Sequence, residues 1–466
     1  MKNEFDVVVI GAGAAGLTAA ATLGQAGLSV MVLEARDRIG GRILTVRDSK
    51  CDAPVELGAE FIHGRPLETW DLLKRYKIRS REVKGDNWCV RNGKLTTCDF
   101  FSEVDEILKK MNDRAPDQSF AEFLDSCCGG WQENPRLKEA KDWATRYVSG
   151  FNAADPAEVG VHWLVKGMRA EEEIDGERAF RTEHGYSDLI GIFQKQVDDA
   201  GVITKRSTVV RSIHWRSTPV EIKARGPKGE ETFTTLRVVT AVPLGVLQAG
   251  GEENGAISFD PALPLEKRNA IGKIRMGKVI RVTLRFGERF WENLPKQRKK
   301  RSKSMSNMSF LFSDDDWVPT WWTMAPQKLP FLTGWAPFRC AERLSGHDET
   351  YVAEQSLTAL HRITGLSLSE LRDLFEHAHT HDWQNDPFSR GAYSYGIAGG
   401  DGADEALAEP VADRLFFAGE ATETDGHNGT VHGAIASGKR AAAKIIKAAE
   451  LKSFLPGQLE KGKRSA

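Results

Sequence analysis

The sequence predicts an α/β fold with a βαβ unit at its start and room for a second domain. Three observations predict it. A short β-branched run, Phe5–Ile10, leads straight into Gly11-Ala-Gly13-Ala-Ala-Gly16. A second buried-strand pattern, Arg414-Leu-Phe-Phe-Ala-Gly419-Glu420, comes near the other end. The long stretch between them reads first as helices and then as strands.

Length and composition bound the answer. A chain of 466 residues has room for two domains at roughly 150 residues each. Its 41% hydrophobic and 28% charged residues are those of an ordinary globular protein, and its core needs no disulfide or metal staple. The 64 basic and 65 acidic residues balance, which removes the basic excess that nucleic-acid binding needs. Cys51, Cys89, Cys98, Cys127, Cys128 and Cys340 form no Cys-x-x-Cys pair. They predict free thiols in a reducing compartment and no metal site. The N-terminus enters a strand directly, without a secretory segment. No apolar run approaches the ~20 residues of a membrane helix. A cytoplasmic protein without membrane contact is expected, with a frayed polar tail after Ala449.

Phe5–Ile10 is nearly all apolar, as in a strand buried on both faces of a parallel sheet. An Ala/Leu-rich helix to about Ala26 follows, closed by Gly27, and Ser29–Leu33 forms a second strand ending at Glu34. This is one βαβ unit. Gly11 allows the turn, Gly13 lets a pyrophosphate approach the backbone beside Ala15, and Gly16 lets the helix pack on the sheet. The helix N-terminus offers N–H groups and a positive dipole to phosphates. Glu34 lies 18 positions after Gly16, where an acid accepts ribose hydroxyls and disfavours a 2′-phosphate. The unit is therefore Rossmann-like. It continues into Glu34-Ala35-Arg36-Asp-Arg38-Ile-Gly40-Gly41-Arg42, whose arginines suit pyrophosphate, and then into Pro54-Val-Glu56-Leu-Gly58-Ala59-Glu60-Phe61-Ile-His63-Gly64.

These strings resemble the flavin amine oxidase superfamily, which holds monoamine oxidases, polyamine oxidases, L-amino acid oxidases and flavin-dependent histone lysine demethylases. The string around Phe61-Ile-His63 is similar to animal-type polyamine oxidases, and the chain as a whole to bacterial-type FAD-dependent amine oxidases. The resemblance implies FAD as cofactor, a GR2-type FAD-binding domain and an α+β substrate-binding domain. It places Gly11, Gly13, Ala15, Gly16, Glu34, Ala35, Arg36, Gly41, Arg42, Gly58, Ala59 and Glu60 at the cofactor.

The FAD-binding domain is expected in three pieces, 1–65, 184–256 and 382–449. The substrate domain has a mainly helical part, 66–183, and a sheet part, 257–381, and 450–466 is the tail. Helices are expected at Leu67–Tyr76, Glu103–Met111, Arg136–Val148, Ser187–Ala200, Glu349–Thr364 and Ser369–Glu376. A hairpin from Asn87 to Cys98 turns at Asn92-Gly93. Strands are expected at 202–213, 220–224, 233–240, Val279–Phe286 and Leu332–Trp335. The resemblance gives Val210, within a Val-x-x-Ile string ending at Ile213, to the adenine. It sets the strand Arg237–Pro243 near the cofactor. The basic run Lys296–Lys303 and the acids Glu171–Glu173 read as solvated, the acids with an entrance that attracts cations as the alternative.

Arg414–Glu420 reads as a buried strand ending in glycine and an acid, and Thr430-Val431-His432-Gly433 opens a helix to about Ala449. Such a helix N-terminus stabilises negative charge on a reduced ring. The resemblance assigns Gly419 and Glu420 to the ribityl-phosphate region, and Val431, next to Thr430, to flavin O2. Ala392 stands where covalent relatives carry the flavin-linking cysteine, so FAD is expected to be non-covalent. Tyr393 matches one wall of the family's aromatic cage, and the other wall falls at Thr430. Trp383 lines the same pocket and the cofactor. His63 matches a histidine near the substrate amine. Arg281 replaces the family's usual lysine, keeping the charge but not the geometry, while Lys278 points to the other face.

The catalytic candidates are thus Arg281, Tyr393, Trp383, His63 and Thr430, with no metal. The implied reaction is oxidation of an amine C–N bond by hydride transfer to flavin N5, giving an imine and then an aldehyde, with O2 reduced to H2O2. An L-amino acid oxidase or desaturase of the same superfamily, and a flavoprotein with mainly a binding role, stay open. The expected partners are a small-molecule amine and O2, with a homodimer as the default assembly.

Overall fold

The structure, a computed structural model, describes residues 4–91, 93–127, 134–294 and 304–459. Its larger sheet runs in the order Ile203–Lys205, Val30–Leu33, Glu4–Ile10, Gly229–Thr240, Val220–Gly226, Val209–His214 and Ser258–Asp260. Leu415–Phe417 pairs parallel with Gly229–Thr240. Widely separated stretches therefore meet in one sheet, and Glu4–Ile10 is central and parallel to both neighbours. That central position is why Val7, Val8 and Val9 are fully buried.

Small residues set the layer on one face. The helix Ala14–Gln25 is mostly alanine and glycine, and it lies between the sheet and the final helix, Val431–Leu459. At Gly438 an added Cβ would stand 2.3 Å from the Ala15 carbonyl oxygen, so glycine permits this approach. The final helix continues ten residues beyond the expected end at Ala449.

The second sheet runs in the order Phe375–His381, Val279–Phe286, Phe331–Pro337, Thr320–Thr323, Met308–Phe312, Asp86–Arg91 and Lys94–Thr97. Val279–Phe286 is buried along its whole length. Ile280, Val282, Leu284 and Phe286 pack in an apolar core with the helix Glu349–Thr364, which leaves Arg281, Thr283 and Arg285 on the opposite face by the two-residue strand period. Phe100–Leu108, Phe120–Ser126, Pro135–Phe151 and Val161–Glu173 supply the helical core beside this sheet. Ser119 and Glu122 form a reciprocal capping box at the start of one of these helices.

Several expectations need correction. The helix expected over Ser369–Glu376 spans Leu368–Leu374, and Phe375–His381 is a strand paired with Val279–Phe286; its alternating histidines follow a strand period. The helix expected from Glu103 starts at Phe100 and ends at Leu108. Cys89 and Cys98 are joined by a disulfide across the hairpin, so those two thiols are not free and the reducing-compartment reading loses that support. Cys51, Cys127 and Cys340 are free. Asn92, Cys128 and the basic run at 296–303 lie outside the described residues. Among the described residues no helix is long and apolar enough to cross a membrane.

Candidate active site

A continuous cavity of about 1580 Å³ opens between the two sheets, and every expected site residue except Gly16 lines it. Gly16 has a packing role instead. An added Cβ there would lie 1.9 Å from the Gly11 carbonyl oxygen, so glycine lets the helix start against the loop. Gly11 itself has φ +101°, a left-handed backbone that favours glycine.

The end of the cavity at the glycine loop has open space and unused backbone donors. At Gly13 an added Cβ would meet no protein atom within 4 Å, so the space over the loop is open. Gly13 caps the helix Ala14–Gln25 without a side-chain hydrogen bond, leaving first-turn N–H groups for phosphate. Glu34 is buried and accepts from the backbone N–H groups of Ala12 at 2.7 Å and Arg36 at 2.9 Å. Both carboxylate oxygens are thereby aimed and keep lone pairs for hydroxyl donors. Ala35, Gly41 and Val210 line the same end.

Two expected phosphate ligands are already engaged. Arg36 donates to Asp386 at 2.6 Å and to Ser389 at 2.9 Å, so its charge is matched within the protein rather than free for pyrophosphate. Arg42 donates to Glu420 at 2.9 Å and to the Ala392 carbonyl at 2.8 Å. Glu420, which follows the strand Leu415–Phe417 after Ala418 and Gly419, also accepts from Ser394 Oγ at 2.6 Å and the Gly429 N–H at 2.9 Å. Gly58 sits tightly between layers, since a Cβ would reach the Arg42 carbonyl oxygen at 1.9 Å and Trp383 at 3.2 Å.

The other end is aromatic. Trp383 Nε1 donates to the Leu57 carbonyl at 2.7 Å, and Tyr393 donates its hydroxyl to the Phe151 carbonyl at 2.6 Å. Phe151 stacks on Tyr147 at 5.2 Å and meets the His63 ring edge-on at 5.4 Å. Burial pushes the Tyr393 hydroxyl well above the usual tyrosine range, so it stays protonated. Burial also lowers His63 to about 4, so its imidazole is neutral. Thr430 accepts from the Gly433 N–H at 3.0 Å and donates to the His427 carbonyl at 2.6 Å. It caps the final helix, setting Val431 at the cavity.

Arg281 reaches the cavity wall from its strand with its charge matched. It pairs with Glu60 at 2.6 Å, donates to the Gly58 carbonyl at 3.1 Å and lies over the Trp322 ring. Glu60 is also bound by Arg181 at 2.6 Å and by Trp322 Nε1 at 3.0 Å. The Glu60 carboxylate is therefore consumed by protein donors, and Ala59 and Glu60 border the cavity without a free acid.

Sequence reading missed Arg181, Trp322 and Tyr147, and it set Glu171 on a solvated face with a cation-attracting entrance only as the alternative. Glu171 overturns the expectation of a solvated acidic face. Glu173 is exposed, but Glu171 and the more exposed Glu172 line the cavity, and burial raises the Glu171 carboxyl to about 7. The chain after Glu173 folds back over it, with the Gly176 N–H donating to the Glu171 carbonyl at 2.8 Å. Away from the cavity, Asp117, His162 and Asp401 come close enough to hold a metal ion. Their atoms serve one another and the backbone instead: His162 bonds Asp401 at 2.7 Å and the Ala115 carbonyl at 2.8 Å.

Comparison with known proteins adds to this geometry. A family model described as flavin containing amine oxidoreductase matches residues 14–446. The chain is 29% identical, over 98% of its length, to lysine-specific histone demethylase 1 homolog 2 of Arabidopsis thaliana, and spans 60% of that protein. It is 28% identical to polyamine oxidase 2 of Arabidopsis thaliana, covering 98% of this chain and 92% of that one. Among solved structures, putrescine oxidase bound to putrescine superposes with a TM-score of 0.77 at 21% identity, over 95% of this chain and 99% of the other.

Proposed function

The chain belongs to the flavin-containing amine oxidoreductase family, and from that premise we propose that it binds FAD non-covalently and oxidises the C–N bond of a small amine bearing a second cationic group. The observation that carries this reading is the continuity of the cavity, which runs from the Gly13 and Glu34 cradle to the aromatic chamber at Tyr393. In this reading residues 1–65, 184–256 and 382–449 hold FAD, and residues 66–183 and 257–381 hold the amine.

Bound there, FAD supplies the two-electron oxidation that turns the amine into an imine, hydrolysed to an aldehyde, with O2 as the final acceptor. The remaining work falls to the chain. An ammonium has no free lone pair, so the substrate must first shed its proton. Tyr393, Trp383, Phe151 and neutral His63 form an apolar wall that disfavours the charged form. The same aromatic faces attract what remains of a cation during entry. Thr430 holds the helix N-terminus so that its free N–H groups and dipole oppose developing negative charge. Ala392 offers no sulfur for a thioether, which supports reversible cofactor binding.

Two side chains bear on the substrate class. Arg281 already has a carboxylate partner in Glu60, so it does not await the carboxylate of an amino acid. The Glu171 carboxyl has no hydrogen-bond or ion-pair partner among the described residues while lining the cavity. An ionised acid in that position calls for a cation at a distance from the reacting nitrogen. Peroxide release across mono-, di- and polyamines tests the reading. Turnover favouring diamines or polyamines supports it, and turnover of L-amino acids alone contradicts it.

A further inference from the structure

Arg281 is held from behind. Arg181 lies on the strand Ala179–Thr182, which pairs with Ile62–His63 beside the Glu60 segment. Its Nε and Nη2 both reach Glu60 Oε1, at 2.7 Å and 2.6 Å. Its fork also donates to the Thr323 carbonyl at 3.1 Å and to the Ala325 carbonyl. Its face covers the Phe61 ring at 4.7 Å. One guanidinium thus rivets the Glu60 segment to the end of the strand Thr320–Thr323. The second oxygen of Glu60 then takes Arg281 at 2.6 Å and Trp322 Nε1 at 3.0 Å.

The arrangement Arg181–Glu60–Arg281 is nearly inaccessible, with side-chain exposures of 12%, 7% and 5%. A carboxylate bound by one arginine alone can swivel, and Arg281 would swivel with it, because a large cavity lies in front of it. Fixing Glu60 to a second cation and to two backbone carbonyls removes that freedom. A planar fork can do this, and a point-charge ammonium cannot.

We propose that Arg181 is a positioning residue that acts through Glu60 to fix the Arg281 guanidinium at the cavity wall, so that a constant positive charge faces the redox ring. This rests on the proposed FAD binding. A fixed cation beside a ring that gains negative charge on reduction favours the reduced form. Arg281 supplies that charge, and Arg181 determines where it stands.

The test is a double-mutant cycle on the FAD-loaded protein, read as the midpoint potential of the bound flavin against a reference dye, with an enzymatic reductant in place of any amine. Arg181→Lys keeps the charge and removes the fork, so a change reports geometry. The expected result is a shift to lower potential equivalent to about tenfold in the reduced-to-oxidised ratio, ~30 mV for a two-electron couple. The same substitution in an Arg281→Lys background should shift the ratio less than about twofold, because there is no guanidinium left to position. An unmoved potential, or equal shifts in both backgrounds, overturns the proposal. A merely structural role would lower the melting temperature equally in both backgrounds and leave the potential alone. Should Arg181→Lys not fold, Trp322→Phe removes only the Nε1 donor to Glu60. It should shift the potential in the same direction by a smaller factor, and no shift there also overturns the proposal. Failure of every form to take up FAD would refute the proposed function instead, whereas loaded proteins with an unmoved potential refute only the role of Arg181.

Discussion

Arg42 and Glu420 stand 378 residues apart in sequence and 2.9 Å apart in space. The same arginine fork holds the Ala392 carbonyl, and the same carboxylate holds Ser394 and the Gly429 N–H. One ion pair therefore gathers the early glycine segment, the Tyr393 segment and the loop before the final helix around the cavity. Its energetic weight comes from Glu420, whose side chain is 5% exposed, while Arg42 keeps 23%.

Glu420→Gln is expected to destabilise the protein by about 2–4 kcal/mol, because it leaves a partly buried arginine without its counter-charge. FAD affinity should fall with it. Chemical denaturation and cofactor titration measure both, and unchanged values would show that the pair does not organise the cavity.

Gly13 and Gly16 separate cofactor binding from folding. Gly13→Ala places a methyl group in open space. The cofactor-free protein should keep its denaturation midpoint while FAD binds at least about tenfold more weakly, since the pyrophosphate loses its close approach. Gly16→Ala collides with the Gly11 carbonyl and should lower stability with or without FAD. Equal behaviour of the two variants would contradict the assigned roles.

Glu171→Gln should lower kcat/KM for a diamine about tenfold, ~1.4 kcal/mol, and leave a monoamine within about twofold. The Glu171 carboxyl is raised to about 7, so it binds a cation once ionised above that pH. The preference for diamine over monoamine should therefore grow as pH rises through about 7 and stay flat in the variant. A preference that is pH-independent in both forms counts against this contact.

Glu56 gives a pH signature in stability. Burial raises its carboxyl from the ordinary 4.5 to about 7, against hydrogen bonds from Thr45 and the Tyr186 N–H. The folded protein then keeps a proton that the unfolded chain releases between those values. Stability from this group is complete below pH 4.5 and is lost as pH rises through about 7. Relative to Glu56→Gln, the parent protein should lose stability between about pH 4.5 and about pH 7 and level off above that. Parallel profiles in urea denaturation would contradict it.

What the sequence revealed was mostly local. The run from Phe5 to Glu34 is legible because strand, glycine loop, helix and acid follow one another in order, and Thr430-Val431-His432-Gly433 reads as a helix start for the same reason. What it hid was tertiary. Glu60 meets Arg181 across 121 residues and Trp322 across 262, so no spacing rule could show that this acid is consumed by protein donors. Glu171 sits in a run of three acids and differs from its neighbours only because a turn covers it. Cys89 and Cys98 flank a legible hairpin, but composition argued for free thiols and the facing positions were not weighed. The helix expected over Ser369–Glu376 runs two residues into the strand Phe375–His381, whose pairing with Val279–Phe286 joins segments about 90 residues apart.

The most direct test is the visible spectrum of the purified protein with stoichiometric FAD, recorded without oxygen as a diamine is added. The account expects a yellow protein whose flavin absorption bleaches with the amine and returns when air is admitted. Acid precipitation should then release all the flavin into the supernatant. A folded protein that takes up no FAD, or one that stays yellow with every amine, would contradict it.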